Sequence, residues 1–200
     1  MASPPAQQSG NPVPPGQTDA SIERYVVGGG GEYASGSIPG SPDAMYYYRF
    51  RMSDPNGEGF KFQDRELSFY FRPTPFALHF QVENRTDRLL WIEWDRCEFL
   101  SPLGVRGKVA HDGTTWQDRF TPQTSTQLPP LQRLADYTFP MDYLVEPGGS
   151  PQQLHRKLLS EGEAAIHLVN REFGIDLVFK VEEQLRTYRF RFVAINAIPK

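Results

Sequence analysis

Apolar and polar residues alternate along most of the chain from Met45 onward. Within residues 76–83, every second position is apolar: Phe76, Leu78, Phe80 and Val82. A period of two places alternate side chains on one face of a β-strand. The pattern predicts nine or ten short strands, at 46–52, 67–71, 76–83, 90–94, 98–100, 105–110, 137–144, 164–169, 176–181 and 186–195. Short strands separated by turn residues are typical of an all-β fold, here an immunoglobulin-like antiparallel β-sandwich.

Turn residues indicate how these strands pair. The clearest predicted hairpin joins strands 76–83 and 90–94 through the turn 84–87. A second turn, at 56–59, follows the strand 46–52 and predicts a hairpin there. The alternation also predicts a buried set consisting of Phe80, Val82, Ile92, Trp94, Phe190 and Phe192.

Three segments depart from this alternation. Residues 151–160 predict one short helix, because Ser150 can cap it, Pro151 occupies its first position and leucines form a stripe. The polar segment 121–130 reads as an edge crossover or a long loop. Pro140 interrupts the strand 137–144, which favours an edge position because proline cannot donate to the ladder.

The first 44 residues differ in composition from the rest. They contain seven prolines and eight glycines, and such a segment buries too little apolar surface to offset its ordering entropy. We expect a flexible leader or tether at 1–44 and a sandwich domain at 45–200. Within the leader, Tyr25, Val26 and Val27 precede a glycine run and form a candidate strand for pairing with a partner or with this domain.

Composition narrows the classes of partner. With 21 basic and 24 acidic residues the net charge is -3, which argues against a nucleic-acid partner. The sequence has no run of 18 apolar residues and no signal-peptide pattern in its first 20 positions. We therefore expect membrane attachment only through a tether or lipid anchor that this chain lacks.

The residue types that carry chemistry predict no catalytic or metal site. The single cysteine, Cys97, lies near Asp95 and Glu98, which oppose thiolate formation. The four histidines have no metal-ligand spacing. We therefore expect no cofactor and no enzymatic activity, with a small buried side chain as the role of Cys97.

Four residues whose side chains we expect on the outward faces of their strands form one candidate ligand-binding or partner-binding face: Trp91, His79, Arg189 and Arg191. Trp91 has the opposite parity to Leu90 in its strand, and it would lie beside His79 across the predicted hairpin. The arginines belong to an echo between 48–52 and 188–192, where aromatic residues and arginines alternate. The alternatives are that another segment covers Trp91, and that the arginines pair with acids such as Glu83, Glu93 or Glu182.

The hairpin 80–94 and several later residues carry a family resemblance. The later residues are Gly104, Val109, His111, Gly113, Pro129, Pro130, Tyr188, Phe190 and Phe192. Together they resemble uncharacterised bacterial envelope proteins, many of them lipoproteins. The resemblance implies an immunoglobulin-like sandwich exported to the envelope, with no catalysis to transfer. The chain departs from that pattern because it lacks a signal sequence and an acylated cysteine near its start.

The resulting hypothesis is a non-enzymatic binding or assembly module of the bacterial cell envelope, which contacts a protein partner or further copies of itself. The alternative is a carbohydrate-binding module that uses exposed aromatic residues on a polysaccharide. A hydrolase using Cys97 or a histidine is the third class. The expected location is the periplasm or outer surface if a signal peptide has been removed, and otherwise the cytoplasm.

Overall fold

The computed structural model describes residues 44–57, 59–148 and 154–200, and it confirms an all-β, antiparallel fold. The described residues form eleven strands. They are β1 (Tyr46–Asp54), β2 (Lys61–Gln63), β3 (Leu67–Pro73), β4 (Leu78–Asn84), β5 (Leu90–Ile92), β6 (Glu98–Leu100), β7 (Arg106–His111), β8 (Thr126–Leu128), β9 (Arg133–Pro140), β10 (Glu172–Val181) and β11 (Gln184–Pro199).

The strands form two layers that share β7. The first sheet contains β1, β11, β10, β6, β5 and β8, and the second contains β2, β3, β4 and β9. The first half of β7 pairs with β6, and its second half pairs with β9. The sheet therefore curls from one layer into the other through a single strand.

The core between the layers is built from aromatic rings. Phe71 and Phe69 of the second sheet lie 4.5 and 4.8 Å, centroid to centroid, from Phe190 of the first sheet. Tilted contacts of this kind suit the charge distribution of aromatic rings. All six residues of the predicted core set are buried, with exposures between 0 and 3%.

The predicted hairpin between strands 76–83 and 90–94 is wrong, because β4 and β5 lie in different sheets. β4 pairs with β3 and β9, whereas β5 pairs with β10 and β8. The buried side chain of Asn84 organises the crossing: its Nδ2 donates to the carbonyl oxygens of Arg88, Leu128 and Pro129 at 2.7 to 3.1 Å. Its Oδ1 accepts from the backbone N–H and the hydroxyl of Thr86.

The hairpin predicted after the strand 46–52 is also wrong. β1 pairs with β11, while β2 pairs with β3 in the other layer. The two strands of the aromatic–arginine echo are therefore neighbours, with Met52 opposite Phe192. Similar alternation lets both strands present apolar side chains to the same core.

The helix predicted at 151–160 does not form over 154–160, the part of it that the structure describes. Leu158 and Leu159 are buried, but their backbone N–H groups donate to the carbonyl oxygens of Phe76 and Pro75 in another segment. These non-local hydrogen bonds replace helical ones. The longest described helical stretch is instead the 3-10 helix Glu163–Leu168, where the sequence predicts a strand at 164–169.

Two predictions near β9 also need correction. Pro140 does not mark an edge strand, because β9 lies between β4 and β7 and Pro140 is its last residue. The segment 121–130, predicted as a crossover or loop, contains the short strand β8. The predicted leader lies outside the described residues except for Ala44, which is buried.

Glu161 connects the first strand, the last residue and the segment before the 3-10 helix Glu163–Leu168. Its carbonyl oxygen accepts from Tyr46 N, and its carboxylate accepts from Lys157 Nζ at 2.5 Å and Lys200 Nζ at 2.9 Å. Burial acts to raise the pKa of this carboxyl, but the two lysines outweigh it and lower the pKa below its ordinary value. The folded protein therefore holds Glu161 as a carboxylate.

We expect Asn84→Ala to lower the free energy of unfolding by about 2 to 4 kcal/mol, because it leaves buried carbonyl oxygens without a donor. Urea unfolding followed by circular dichroism measures the change. Asp87→Ala, an exposed change in the same connection, is the control and should cost less than about 0.5 kcal/mol. Equal stability of Asn84→Ala and the wild type would contradict the role assigned to this amide.

We expect Glu161→Gln to destabilise the protein by about 1 to 3 kcal/mol at pH 7. Because the folded state lowers the pKa of Glu161, this stabilisation is present above the unfolded pKa and is lost as pH falls through the folded value. The difference between wild type and variant should therefore shrink in acid. Urea titrations across this range test it, with the exposed Glu183→Gln as control. A difference that does not change with pH would count against the ion pairs.

Candidate functional site

The outer surface of the second sheet carries a regular array of polar and aromatic side chains. We call this array the binding face; its members are Lys61, Gln63, Ser68, Tyr70, Arg72, His79, Gln81, Glu83, Arg133, Ala135 and Tyr137. The inward positions of the same strands hold core residues such as Phe69, Phe71 and Phe80. The strict alternation of these strands therefore produces the face.

Strand register arranges the binding face in three rows. The first row runs Lys61, Tyr70, Gln81, Ala135 across β2, β3, β4 and β9. The second row runs Gln63, Ser68, Glu83, Arg133 across the same strands. The third runs Arg72, His79, Tyr137 across β3, β4 and β9. Directly opposed side chains lie about 4.5 to 5.5 Å apart at Cβ, so neighbours within a row can contact one ligand.

Tyr70 is the most exposed aromatic residue of the binding face, with 48% of its surface accessible. Lys61 and Gln81 flank it in its row, and the small side chain of Ala135 follows. An open cleft of about 670 Å³ lies over this part of the sheet, lined by Tyr70 and Gln81 together with residues of the second row. The phenol ring thus forms one wall of a shallow polar cleft.

The charges on the binding face are unevenly paired. Arg133 Nε donates to Glu83 Oε2 at 2.9 Å. Lys61 and Arg72 form no ion pair with any described carboxylate, and both are exposed. Burial lowers the pKa of His79, and the charge of Arg72 and the nearby His155 lower it further, so this imidazole is neutral at pH 7.

One end of the outer surface is covered. Phe139 lies on the same outer face of β9 as Tyr137, yet it is buried in a small cluster with Ala110, Met141 and Leu144. The ring of His155 stacks on Phe139 at a centroid distance of 3.8 Å. The chain after β9 therefore covers this end, and the binding face ends at Tyr137.

The structure does not bring together the four residues of the candidate face predicted from the sequence. His79 lies on the outer surface of the second sheet, beside Tyr137. Trp91 lies opposite Lys180 and Gln127 in the first sheet, where it is partly exposed. Arg189 also belongs to the first sheet. The reason is the failure of the predicted hairpin, which would have placed Trp91 beside His79.

Two arginines of the echo, Arg189 and Arg191, lie around one aspartate together with Arg106 of β7. Asp176 is buried in β10 and forms ion pairs with Arg106 and Arg189 at 3.4 Å and with Arg191 at 2.5 Å. Arg191 is only 3% exposed, and its Nη1 donates to two backbone carbonyl oxygens. Arg191 therefore cannot serve as an exposed ligand-binding residue, and the acid that pairs with it is Asp176 rather than Glu83, Glu93 or Glu182.

Cys97 is buried, and burial raises the pKa of its thiol to about 12. Its Sγ accepts from Val178 N at 3.3 Å and donates to the carbonyl oxygen of Glu93 at 3.4 Å. The neighbours of the thiol are thus backbone groups, and a thiol with such a pKa is not a nucleophile at pH 7.

His111 belongs to a separate cluster at the end of β7. Its Nδ1 lies 3.2 Å from Asp136 Oδ2, and its ring stacks on Trp94 at 4.0 Å. Asp136 also accepts from the backbone N–H groups of Asp112 and Tyr137. These bonds hold the turn after β7 against β9, and we assign the pair this structural role.

Tyr70, Gln81 and Gln63 were not predicted as site residues from the sequence. The sequence does predict that the side chain of Tyr70 points away from the core, because the apolar residues Leu67, Phe69 and Phe71 occupy the alternate positions of the strand. Their assembly into one face depends on the pairing of four strands, and two of the hairpins predicted from the sequence are wrong.

Within the described ranges, no three His, Cys, Asp or Glu side chains are grouped so that they could hold a metal ion. The same part of the chain contains no helix long and apolar enough to cross a membrane. Tyr25, Val26 and Val27 lie outside the described residues. Comparisons with known protein families, with curated proteins and with solved structures find no match to this chain.

Proposed function

We propose that this protein is a non-enzymatic binding module that recognises a carbohydrate through the binding face. The observation that carries the proposal is the half-exposed ring of Tyr70 in an open cleft whose other exposed groups are amides, a hydroxyl and charged side chains. Such a surface is too polar for a hydrophobic protein interface, whose core is enriched in apolar and aromatic residues.

The chemistry of sugars suits this arrangement. A pyranose ring has an apolar face of C–H groups, which packs on an aromatic ring, and a rim of hydroxyls, which need donors and acceptors. Gln81 lies beside Tyr70 in its row, and Gln63 and Ser68 lie in the adjacent row. Amide and hydroxyl groups both donate and accept, so they can satisfy sugar hydroxyls in several orientations.

The rigidity of the face supports binding without large rearrangement. Phe69 and Phe71, on either side of Tyr70 in β3, are packed into the core, which fixes the strand backbone. β4 is hydrogen-bonded on both sides, by β3 and by β9. A preformed platform loses little conformational entropy when a ligand binds.

The absence of catalysis is part of the proposal. The buried thiol of Cys97 and the Trp94-stacked ring of His111 both lie away from the binding face, and each has structural partners of its own. The binding face includes a neutral, partly buried His79 but no cysteine. These placements support a role in binding rather than turnover.

We expect Tyr70→Ala to weaken carbohydrate binding by at least about tenfold, as loss of a central aromatic anchor does. Affinity electrophoresis against a panel of soluble polysaccharides identifies a ligand, and calorimetry with its oligosaccharide measures the change. Tyr70→Phe should retain most of the affinity because it keeps the ring.

Phe120→Ala is the matched control, since Phe120 is 82% exposed but lies outside the binding face. Unchanged binding by Tyr70→Ala would refute the assigned site. Failure of the wild type to bind any carbohydrate of the panel would refute the proposed function.

A second candidate function is assembly with a protein partner or with further copies of this chain. The observation that favours it is the position of the nine-residue strand β1 at one end of the strand order. Over residues 48–54 of β1, β11 is the one strand partner among the described residues. The edge of a strand can accept another strand along such a stretch, and Tyr25, Val26 and Val27 are the candidate strand predicted from the sequence. A location in the bacterial cell envelope rests on the sequence resemblance alone and stays a prediction.

For this second function we expect deletion of residues 1–31 to leave a folded domain with reduced self-association, measured by sedimentation velocity over a concentration series. The triple variant Tyr25→Ser, Val26→Ser, Val27→Ser retains the length of the leader and should show the same reduction. If both variants associate as the full chain does, the leader is only a spacer and the edge-pairing proposal is wrong.

A further inference from the structure

The binding face has a net positive charge although the chain has a net charge of -3. Its cations are Lys61, Arg72 and Arg133, and Glu83 is its one carboxylate. Arg133 and Glu83 neutralise each other through their ion pair. Lys61 and Arg72 remain, with no carboxylate partner among the described residues.

These two cations lie next to the Tyr70 ring. Lys61 is directly opposite Tyr70 in the neighbouring strand, and Arg72 is two positions further along β3 on the same side. Lys61 lines the cleft, whereas Arg72 lies beside it on the other side of Tyr70. Two strand positions span about 6.6 Å, so the two side chains flank a sugar ring that stacks on Tyr70. A negative group on that edge would meet a lysine ammonium or an arginine guanidinium.

The arginine cluster around Asp176 does not offer this opportunity. Arg106, Arg189 and Arg191 of the first sheet share the carboxylate of Asp176, and Arg106 also pairs with Glu98. Their charges are thus partly neutralised within the fold. On the binding face, by contrast, the counter-charge for Lys61 and Arg72 has to come from outside the described residues.

From this charge arrangement we propose that the preferred ligand is an acidic oligosaccharide containing uronic acid residues; this inference rests on the proposed carbohydrate-binding function. The C6 carboxylate of a uronic acid projects from the rim of the sugar ring, which leaves the C–H face free to stack on Tyr70. An arginine guanidinium binds a carboxylate in a planar, bidentate manner, and this geometry favours Arg72 as its main partner. Lys61 then acts as a second, less directional cation.

The experiment compares three ligands of equal length with the full chain by calorimetry: an oligogalacturonate, a neutral hexose oligomer and a sulfated hexose oligomer. We expect the oligogalacturonate to bind about tenfold more tightly than the neutral oligomer at low salt, and this advantage to decline as salt rises. The double variant Lys61→Gln, Arg72→Gln should remove the advantage, so that the oligogalacturonate and the neutral oligomer bind it with similar affinity.

The matched control is Arg49→Gln, Arg51→Gln, which removes two exposed charges from β1 on the other layer and should retain the preference. Circular dichroism of each variant confirms that it is folded.

Equal binding of acidic and neutral oligomers would overturn this inference while the proposed function stands. Binding of the sulfated oligomer as tightly as the oligogalacturonate, or more tightly, would also overturn it, because the site would then recognise negative charge in general rather than a carboxylate. Binding of none of the three oligomers would overturn the uronic-acid inference, and the polysaccharide panel then decides the proposed function separately.

Discussion

The buried carboxamide of Asn84 determines how the chain passes from one sheet to the other. It sits at the end of β4 and holds the backbone of 128–129 and of Arg88, so that β5 leaves the second sheet and pairs with β8 and β10. A buried amide that lost these partners would cost more than a typical hydrogen bond contributes. β4 pairs with β3 and β9, and not with β5. The four-strand outer surface that carries Tyr70 depends on this pairing.

The composition of each strand was largely predictable from the sequence, whereas its partners were not. Alternation depends on local sequence, and it correctly identified Phe80, Val82, Ile92 and Phe192 as buried. Pairing depends on side chains distant in sequence, such as the contact between Asn84 and the carbonyl oxygens of 128–129. A turn-like segment between two strands is compatible with a hairpin and with a crossing between layers. The sequence pattern alone cannot distinguish these two arrangements.

The helix predicted at 151–160 failed for a related reason over the residues that the structure describes. Leucines at 154, 158 and 159 have helical spacing. Leu158 and Leu159 are nevertheless buried outside any helix, and their backbone N–H groups donate to the turn between β3 and β4. A short segment gains little from helix formation, so tertiary hydrogen bonds and burial decide its conformation. The candidate site shows the same limit. The outward parity of Tyr70 is local information, but its row with Lys61, Gln81 and Ala135 requires the register of four strands.

Arginine has two different roles on the two outer surfaces of this fold. On the first sheet, Arg191 is buried against Asp176 and two carbonyl oxygens, so its charge is used in stabilising the strand pair β10–β11. On the second sheet, Arg72 has only a neutral histidine and a tyrosine along its row and remains exposed. In the sequence, Arg72 and Arg191 look alike, because each is an arginine that alternates with apolar residues along its strand. The difference lies in whether β-pairing brings a carboxylate within ion-pair distance of the guanidinium, as it does for Arg191 and Asp176. Where no carboxylate is brought close, the positive charge is available to attract a ligand.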